Sequence, residues 1–298
     1  MTQRENESPN KQFKDKVKSQ LNLFYLALSF FTRLPVPKTM IYSDTLLNKA
    51  NRYFSLVGLV IGLLLAFSYM IFSTFLPANI AILLTMGGSL FLTGAFHEDG
   101  LADMADGIGG AFIIEKRLMI MKDSRIGTYG VVTIVMALLL KFSLLLSITK
   151  IDSDYLLLSI VLAESLSRAV AGSLIYSMPY VSDSEQSKSK PLAQAQSSFE
   201  LIVLVLIGLV PIFFYSIEII CLLVIILLIF RGLFKRWLMA KIGGFTGDCL
   251  GAGQQIAQLL IYLTLVYYGN NNLSGSTIGM AAGITSEIGT SIILGGVA

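Results

Sequence analysis

The feature that most constrains this chain is a series of apolar runs, each about as long as a membrane-spanning helix. A helix needs about 20 apolar residues to cross the hydrocarbon core of a bilayer, whereas a strand of a membrane barrel alternates over about 10. The continuous runs lie at about 54–76, 79–96, 128–148, 155–178, 200–215, 217–234 and 250–268. Only 14% of the 298 residues are charged, against about 25% in soluble domains. The sequence therefore predicts an all-α polytopic membrane helix bundle with about seven transmembrane helices, within a range of about six to eight.

The two ends of the chain differ in composition from this apolar middle. We expect a polar N-terminal tail at 1–20, a single membrane-embedded domain at 21–268 and a C-terminal segment at 269–298. The apolar stretch at 277–297 leaves one further span in the last part as an open alternative.

Two stretches of the membrane-embedded domain do not read as simple spans. Residues 21–31 are too short to cross a bilayer and predict a short N-terminal interfacial or re-entrant helix, which two nearby prolines stop. The 200–234 stretch is interrupted by Pro211 and Glu218, so that either a tight hairpin or one long kinked helix is compatible with it.

Basic residues are concentrated in alternate connecting segments. The N-terminal segment and the loops at 97–127, 179–199 and 231–249 are rich in Lys and Arg, whereas the links at 77–78 and 149–154 carry at most one base. Because cytoplasmic loops are enriched in Lys and Arg, we predict that the N-terminus and these three loops are cytoplasmic.

The first chemical motif is FHEDGLADMADGIGG at 96–110, an acidic segment that follows an uncharged run. On a helix, Asp99, Asp103 and Asp106 are spaced i, i+4 and i+7 and share one stripe, where their charges repel unless a cation binds them. One His and two Cys are too few for a zinc site, so oxygen ligands are expected, which favour Mg²⁺, Mn²⁺ or Ca²⁺. Mg²⁺ is preferred because it binds one or two carboxylates together with substrate phosphates and water. We predict that these three residues and Glu98 bind the metal. The alternative is a solvated acidic loop at the end of a span.

The second motif, IMKDSRIGTYG at 120–130, precedes a span. Lys122 and Arg125 are suited to bind phosphate, and Ser124 can donate a hydrogen bond to it. Gly127 permits an irregular backbone at a helix start, which is itself an anion site. These residues are predicted to bind substrate, and the alternative is an ordinary basic cytoplasmic loop.

Two residues are candidates for the catalytic proton acceptor. Asp123, within the second motif, is a candidate base or a further metal ligand. His97 is a candidate general base, although a lone histidine is more often a structural hydrogen-bonding group.

The third motif is IGGFTGDCLGAGQQ at 242–255, again at the start of a span. Its glycines indicate a tight backbone site in which Thr246 and Asp248 bind substrate; the alternative is that the glycines only allow close helix packing. Arg33 either faces the same site or anchors the chain at the membrane interface, and the second interpretation is favoured slightly.

Glu164 and Arg168 are spaced i, i+4 inside a span. An ionisable residue within the membrane is a functional candidate, but the spacing favours a structural ion pair between these two side chains.

At these residues a family resemblance becomes visible. FHEDGLADMADGIGG, MKDSRIGTYG and GGFTGDCLGA, in this order and with FTRLPVP near the N-terminus, resemble the cobalamin synthase family. Its members are the adenosylcobinamide-GDP ribazoletransferases of the bacterial vitamin B12 pathway. The resemblance covers roughly 21–268, and we find no family feature after about residue 270.

The resemblance implies a Mg²⁺-dependent phosphotransferase of the bacterial cytoplasmic (inner) membrane, with its active site facing the cytoplasm. The 3′-hydroxyl of α-ribazole, or of α-ribazole 5′-phosphate, is expected to attack the cobinamide-side phosphorus of adenosylcobinamide-GDP. GMP would leave, and adenosylcobalamin or its 5′-phosphate would form. The residues by themselves indicate only a membrane enzyme of phosphate-ester or diphosphate chemistry.

The expected partners are these two substrates and the lipid bilayer, with no nucleic acid. The sequence leaves open a homo-oligomer or an association with other enzymes of the cobalamin pathway.

Two other functions are alternatives to this reaction. A CDP-alcohol phosphotransferase of lipid synthesis also displaces a nucleoside monophosphate, but its motif resembles D-x-x-D-G-x-x-A-R followed by G-x-x-x-D-x-x-x-D, and residues 103–110 depart from that pattern. A membrane transporter should carry its site near the middle of the membrane on internally repeated helices, whereas most charges here lie at one interface.

Overall fold

The computed structural model describes residues 9–181 and 194–294. The helices are α1 (Pro9–Phe31), α2 (Asp44–Ala50), α3 (Phe54–Ser73), α4 (Ala78–Thr93), α5 (Phe96–Gly110), α6 (Ile114–Met121), α7 (Thr128–Ile151), α8 (Ser153–Gly172), α9 (Ser198–Leu209), α10 (Ile217–Ile242) and α11 (Gly247–Leu294). Short 3₁₀ turns lie at Asn51–Tyr53, Ile175–Ser177 and Val210–Phe214. The described residues contain no strand beyond an isolated bridge between Tyr180 and Phe245, which confirms the all-α prediction.

Five segments of the described chain are long and apolar enough to cross a membrane: Asp44–Ser73, Thr128–Ile151, Ser153–Ser177, Ile217–Ile242 and Gly247–Asn272. Helices α4 and α5 together make a sixth candidate, although they are bent by 84° relative to each other. The polytopic bundle is thus confirmed, with five or six candidate spans in the described residues, which is fewer than the predicted seven and at or just below the lower limit of six.

The predicted span at 200–215 accounts for part of this difference. Its helical part, Ser198–Phe214, is shorter than the other candidates. Pro211 lies in the 3₁₀ turn that ends α9, and α10 begins after Tyr215 and Ser216. The 200–234 stretch therefore holds two separate helices, and the alternative of one long kinked helix is wrong.

Helix α1 is longer than the predicted helix at 21–31. It begins at Pro9, so that the described part of the polar tail is the first half of the same helix, and it ends at Phe31 ahead of the two prolines. The buried side chains of its second half have helical spacing and pack into the bundle: Leu23, Leu26, Ala27, Leu28 and Phe31. The predicted boundary near residue 20 is a change in composition without a break in the helix; residues 1–8 lie outside the described part.

At the other end, α11 continues without interruption from Gly247 to Leu294. The apolar stretch at 277–297, as far as it is described, is therefore a continuation of α11 and does not start a separate helix. Residues 295–298 lie outside the described part.

Helix α8 is the central helix of the bundle. In the apolar window of Ser153–Ser177, 89% of the residues are buried, against 22% for α7 and for α10. Helix α3 crosses α8 at Gly58 and Gly62, where an added Cβ would lie 2.9 Å from the Glu164 carbonyl carbon and 2.8 Å from the Val161 Cα. Small residues let these two helices touch by their backbones. Helices α7 and α10 leave most of their apolar side chains outside the core.

Candidate active site

The chain turns sharply between α4 and the acidic helix α5. Gly94 and Ala95 both have positive φ, +67° and +56°, and separate α4 from α5. The Arg33 guanidinium lies against this turn, since a Cβ added at Gly94 would be 3.0 Å from its Nε, and it also lies 5.9 Å from the ring centre of Phe91. These contacts with the α4–α5 turn support the interpretation of Arg33 as an interfacial anchor.

The three sequence motifs meet at one end of the bundle, where α5 crosses the first turn of α11. A Cβ added at Gly100 would lie 2.9 Å from the Asp248 carbonyl oxygen, and one added at Gly251 would lie 3.2 Å from the His97 carbonyl oxygen. The glycines therefore allow the two backbones to come into direct contact, and Asp248 is brought beside Asp99.

Asp106 joins α5 to the start of α7. Its carboxylate accepts hydrogen bonds from the backbone N–H groups of Gly127 (2.7 Å) and Gly130 (2.8 Å) and is buried. A Cβ at Gly127 would lie 2.5 Å from Asp106 Oδ1, so this approach requires glycine. The predicted anion site at this helix start exists, but a carboxylate of the chain itself fills it.

Glu98 faces in another direction. It is 4% exposed, and its Oε1 accepts a hydrogen bond of 2.9 Å from Nε2 of Gln255 in α11. Its Oε2 is buried without a hydrogen-bond partner among the described residues. Glu98 and Asp106 thus use their carboxylates to contact neighbouring helices, and the four predicted metal ligands do not converge as one set.

Asp99, Asp103 and Asp248 are the acids that remain available near the surface. Asp99 is exposed and the other two are partly buried, and Asp103 interacts electrostatically with both of its neighbours. No group of three or more His, Cys, Asp or Glu in the described residues is arranged to hold a metal ion alone. Mg²⁺ in phosphate chemistry usually takes one or two carboxylates together with substrate oxygens and water. The donor set fits such a shared ion, and the prediction of Mg²⁺ stays a prediction.

Thr246, predicted to bind substrate, caps the start of α11. Its Oγ1 accepts a hydrogen bond from the Cys249 N–H (3.3 Å) and donates to Asp248 Oδ2 (3.2 Å). Thr246 is buried, so it orients Asp248 and offers little surface to a ligand.

The Asp106–Gly127 contact holds the basic loop between α6 and α7 beside α5. Within it, Arg125 Nη2 is 2.6 Å from Asp123 Oδ2, and the Arg125 side chain is 88% exposed. Hydrogen bonds from Arg125 lower the pKa of Asp123 to about 2. A carboxylate with this pKa is a weak base, so Asp123 accepts a proton poorly while the pair is intact. Lys122 and Ser124 are exposed in the same loop.

His97 is not placed as a general base should be. It is 4% exposed, and its ring is stacked on Phe31 with a centroid distance of 5.6 Å and an interplanar angle of 9°. Phe96 contacts it edge-on at 5.5 Å. The geometry favours the structural interpretation.

Sequence reasoning predicted the Glu164–Arg168 pair but missed the other buried polar residues near it. Glu164 and Arg168 form the predicted ion pair at 2.5 Å. Gln258 donates to Glu164 Oε1 (2.7 Å), and Lys141 donates to Gln258 Oε1 (2.9 Å). The signals were present: a lysine inside the otherwise uncharged run at 128–148 and three glutamines, Gln254, Gln255 and Gln258, early in the apolar run of α11.

Comparisons with known proteins agree with the family resemblance. The model of the cobalamin-5-phosphate synthase family matches residues 23–266. A protein of Vibrio parahaemolyticus named adenosylcobinamide-GDP ribazoletransferase is 54% identical over 252 residues, which are 85% of this chain and 94% of that protein. A protein of the same name from Vibrio vulnificus is 57% identical over 247 residues, 83% of this chain and 96% of its own. Another from Shewanella pealeana is 47% identical over 250 residues, 84% of this chain and 96% of its own. No solved structure matches.

Proposed function

This chain belongs to the cobalamin-5-phosphate synthase family, and we propose that it joins adenosylcobinamide-GDP to α-ribazole or α-ribazole 5′-phosphate. The products are adenosylcobalamin or its 5′-phosphate and GMP, at the end of nucleotide-loop assembly. The family match over most of the chain and the names of its relatives support this reaction over a CDP-alcohol phosphotransferase and over a transporter.

One structural observation supports the proposal. The acids of α5 and α11 and the basic loop before α7 lie at one end of the bundle, joined by the Gly100–Asp248 and Asp106–Gly127 contacts. A diphosphate substrate needs cationic partners for its oxygens and a bound cation to offset its remaining charge. This end of the bundle offers both kinds of group side by side.

Asp99, Asp103 and Asp248 are the residues that would hold Mg²⁺. When bound, the ion would neutralise the diphosphate and polarise the attacked phosphorus. Side chains of the protein carry out the other steps.

Arg125 and Lys122 bind the phosphate oxygens, Arg125 through its planar fork. To do so, Arg125 gives up its hydrogen bonds to Asp123. The pKa of Asp123 then rises towards the ordinary value for Asp of about 4, so the carboxylate becomes a better acceptor for the hydroxyl proton of α-ribazole. The hydroxyl oxygen forms the new bond to phosphorus, and the bond from that phosphorus to the GMP oxygen breaks.

We place the enzyme in the cytoplasmic membrane of a bacterium with this end facing the cytoplasm. The helices support a multi-pass membrane protein. The orientation is supported by the Lys and Arg of the loops at this end, and nucleotide substrates are cytoplasmic.

The decisive experiment is turnover by the purified protein in phospholipid vesicles. Adenosylcobinamide-GDP, α-ribazole and Mg²⁺ are supplied, and GMP and the corrinoid product are separated by chromatography. Equal amounts of GMP and product are expected, and EDTA should abolish both. GMP release without a joined corrinoid, or CMP release when a CDP-alcohol and an acceptor alcohol are supplied, would contradict the proposal.

A further inference from the structure

Two branches of buried polar side chains lie in the bundle interior, and one of them starts at α5. Every member of the two branches is nearly inaccessible to solvent: Glu98, Lys141, Glu164, Ser167, Arg168, Gln254, Gln255 and Gln258. One branch runs from Glu98 through Gln255 to Gln254 (2.9 Å for each bond) and on to Ser167 Oγ (3.0 Å). The other branch is the Lys141–Gln258–Glu164–Arg168 set described above. The first branch ends directly on the acidic helix of the site.

Burial of the Glu98 carboxylate is unfavourable by itself. A carboxylate removed from water is unfavourable unless other groups compensate it. Within the described residues, Glu98 accepts a hydrogen bond from Gln255, and its second oxygen is buried without a partner. A residue of this kind in a short helix beside a reaction site is a candidate for function, but it faces α11 rather than the stripe of Asp99 and Asp103.

The geometry of α5 explains what Glu98 can do there. The helix has 15 residues, and no side chain caps its N-terminus. Two polar contacts tie it to its neighbours: Glu98 to Gln255 near its start, and Asp106 to the N-terminus of α7 near its end. Adjacent residues on a helix are about 100° apart. Fixing Glu98 towards α11 therefore fixes the direction of Asp99.

We propose that Gln255 is a positioning residue for the reaction: its amide donates to Glu98, sets the rotation of α5 about its axis, and so directs Asp99 and Asp103 towards the substrate. The inference rests on the proposed function for its activity readout. It also assigns Glu98 a role different from the predicted metal ligand.

An exchange of the two side chains separates these roles. Glu98→Gln alone keeps an amide oxygen that can accept from Gln255, so turnover should stay within about threefold of the unmodified enzyme. Gln255→Glu alone sets two carboxylates against each other and should lower kcat roughly tenfold or more, since a buried polar group loses its partner. In the double variant Glu98→Gln/Gln255→Glu, the hydrogen bond between positions 98 and 255 is restored with donor and acceptor reversed. The Gln254 amide, which accepts from Gln255 in the unmodified protein, can rotate so that it donates to position 255 and accepts from the Ser167 hydroxyl, and kcat should return to within about threefold. A double variant no more active than Gln255→Glu would overturn the proposal, as would a severe loss in Glu98→Gln alone.

Gln258→Glu is the matched control. It places the same change one helical turn further along α11, in the branch that does not touch α5. It should lower the melting temperature, and Glu98→Gln should not rescue it. Rescue of this variant as well would show a general effect on the bundle and would contradict a specific role for Gln255.

A second readout does not depend on catalysis. Asp99→Cys in a Cys221→Ser background places one exposed thiol on α5, because the native Cys249 is buried. Its reaction rate with a polar maleimide should change about threefold or more when Gln255→Glu is added and return in the exchanged pair. An unchanged rate would overturn the proposal. If the unmodified enzyme does not make the corrinoid product but the labelling rates follow this pattern, the proposed function fails and the positioning of α5 stands.

Discussion

At the scale of single residues, the four acids of α5 have separate roles although they share one motif. Asp99→Asn and Asp103→Asn are expected to lower turnover roughly 10²-fold, because each removes a carboxylate that offsets or holds charge at the reacting phosphates. Neither variant should be less stable, since each relieves repulsion among the acids. Turnover and melting temperature in detergent check both statements. Near-normal rates in both variants would favour the solvated-loop interpretation.

Asp106→Asn should behave differently, because the Asp106 carboxylate binds the start of α7. The variant loses charge-assisted hydrogen bonds to two backbone N–H groups, and the loss of a helix-capping group costs about 1–2 kcal/mol. A clear fall in melting temperature is expected, with a loss of activity that follows the loss of folded protein. Full stability together with a large loss of turnover would return Asp106 to the metal-ligand set.

The pairing of Asp123 with Arg125 makes a prediction about pH. The lowered pKa of Asp123, about 2, means that the free enzyme keeps this carboxylate ionised throughout the range from about pH 5 to 8. An acidic limb of kcat/KM in this range therefore belongs to another group, since kcat/KM reports free-enzyme pKa values. Asp123→Asn should lower kcat and leave the midpoint of that limb unchanged. A shift of about one unit in the pH–rate profile would show that Asp123 titrates there.

At the scale of the elements, the contact between α5 and α11 decides whether the site forms. Gly100→Ala would place a methyl group 2.9 Å from the Asp248 carbonyl oxygen. Overpacking of this kind costs about 1–3 kcal/mol, because the backbones of α5 and α11 must move apart. Both activity and melting temperature should fall. Gly88→Ala in α4 is the control, because an added Cβ there meets nothing within 4 Å, and it should be neutral or slightly stabilising. Equal effects of the two changes would contradict the close-contact interpretation.

The elements also show what the sequence could and could not predict. The end of α1 was predictable and a break near Pro211 was one of the two alternatives, because Pro211 and the prolines after Phe31 disfavour a continuous helix. The continuity of α1 across residue 20 was not predicted, because a change from polar to apolar residues alone does not break a helix.

The sequence predicted only part of the candidate site. The alternation of basic loops between spans placed the acids and bases on one side of the membrane, and the i, i+4 spacing placed Asp99 and Asp103 on one face of their helix. Periodicity gives the face of a residue on its own helix but not the neighbour it meets. The partners of Asp106 and Glu98 therefore became visible only with the packing of α7 and α11.

At the scale of the whole molecule, the distribution of charge around the bundle determines how it sits in the membrane. The predicted cytoplasmic loops contact one another: Arg117 Nη1 donates to the Lys241 carbonyl (2.6 Å), and the Val181 N–H donates to the Phe245 carbonyl (3.0 Å). They therefore share one end of the bundle, although 182–193 lie outside the described residues. Positive loops stay on the cytoplasmic side, so this end, which carries the candidate site, should face the cytoplasm.

Two exposed lysines at opposite ends of α6–α7 test this orientation as a matched pair. In a Cys221→Ser background, Lys116→Cys should react with a membrane-impermeant maleimide only in inside-out vesicles, because α6 belongs to the end that carries the site. Lys150→Cys, in the last turn of α7, should react only in intact spheroplasts, since the 24 residues of α7 separate the two ends by about 36 Å at 1.5 Å per residue. The buried Cys249 should stay unlabelled in both preparations. The reverse pattern would place the acids and the basic loop outside the cell, away from cytoplasmic nucleotides, and would contradict the proposed reaction at this site.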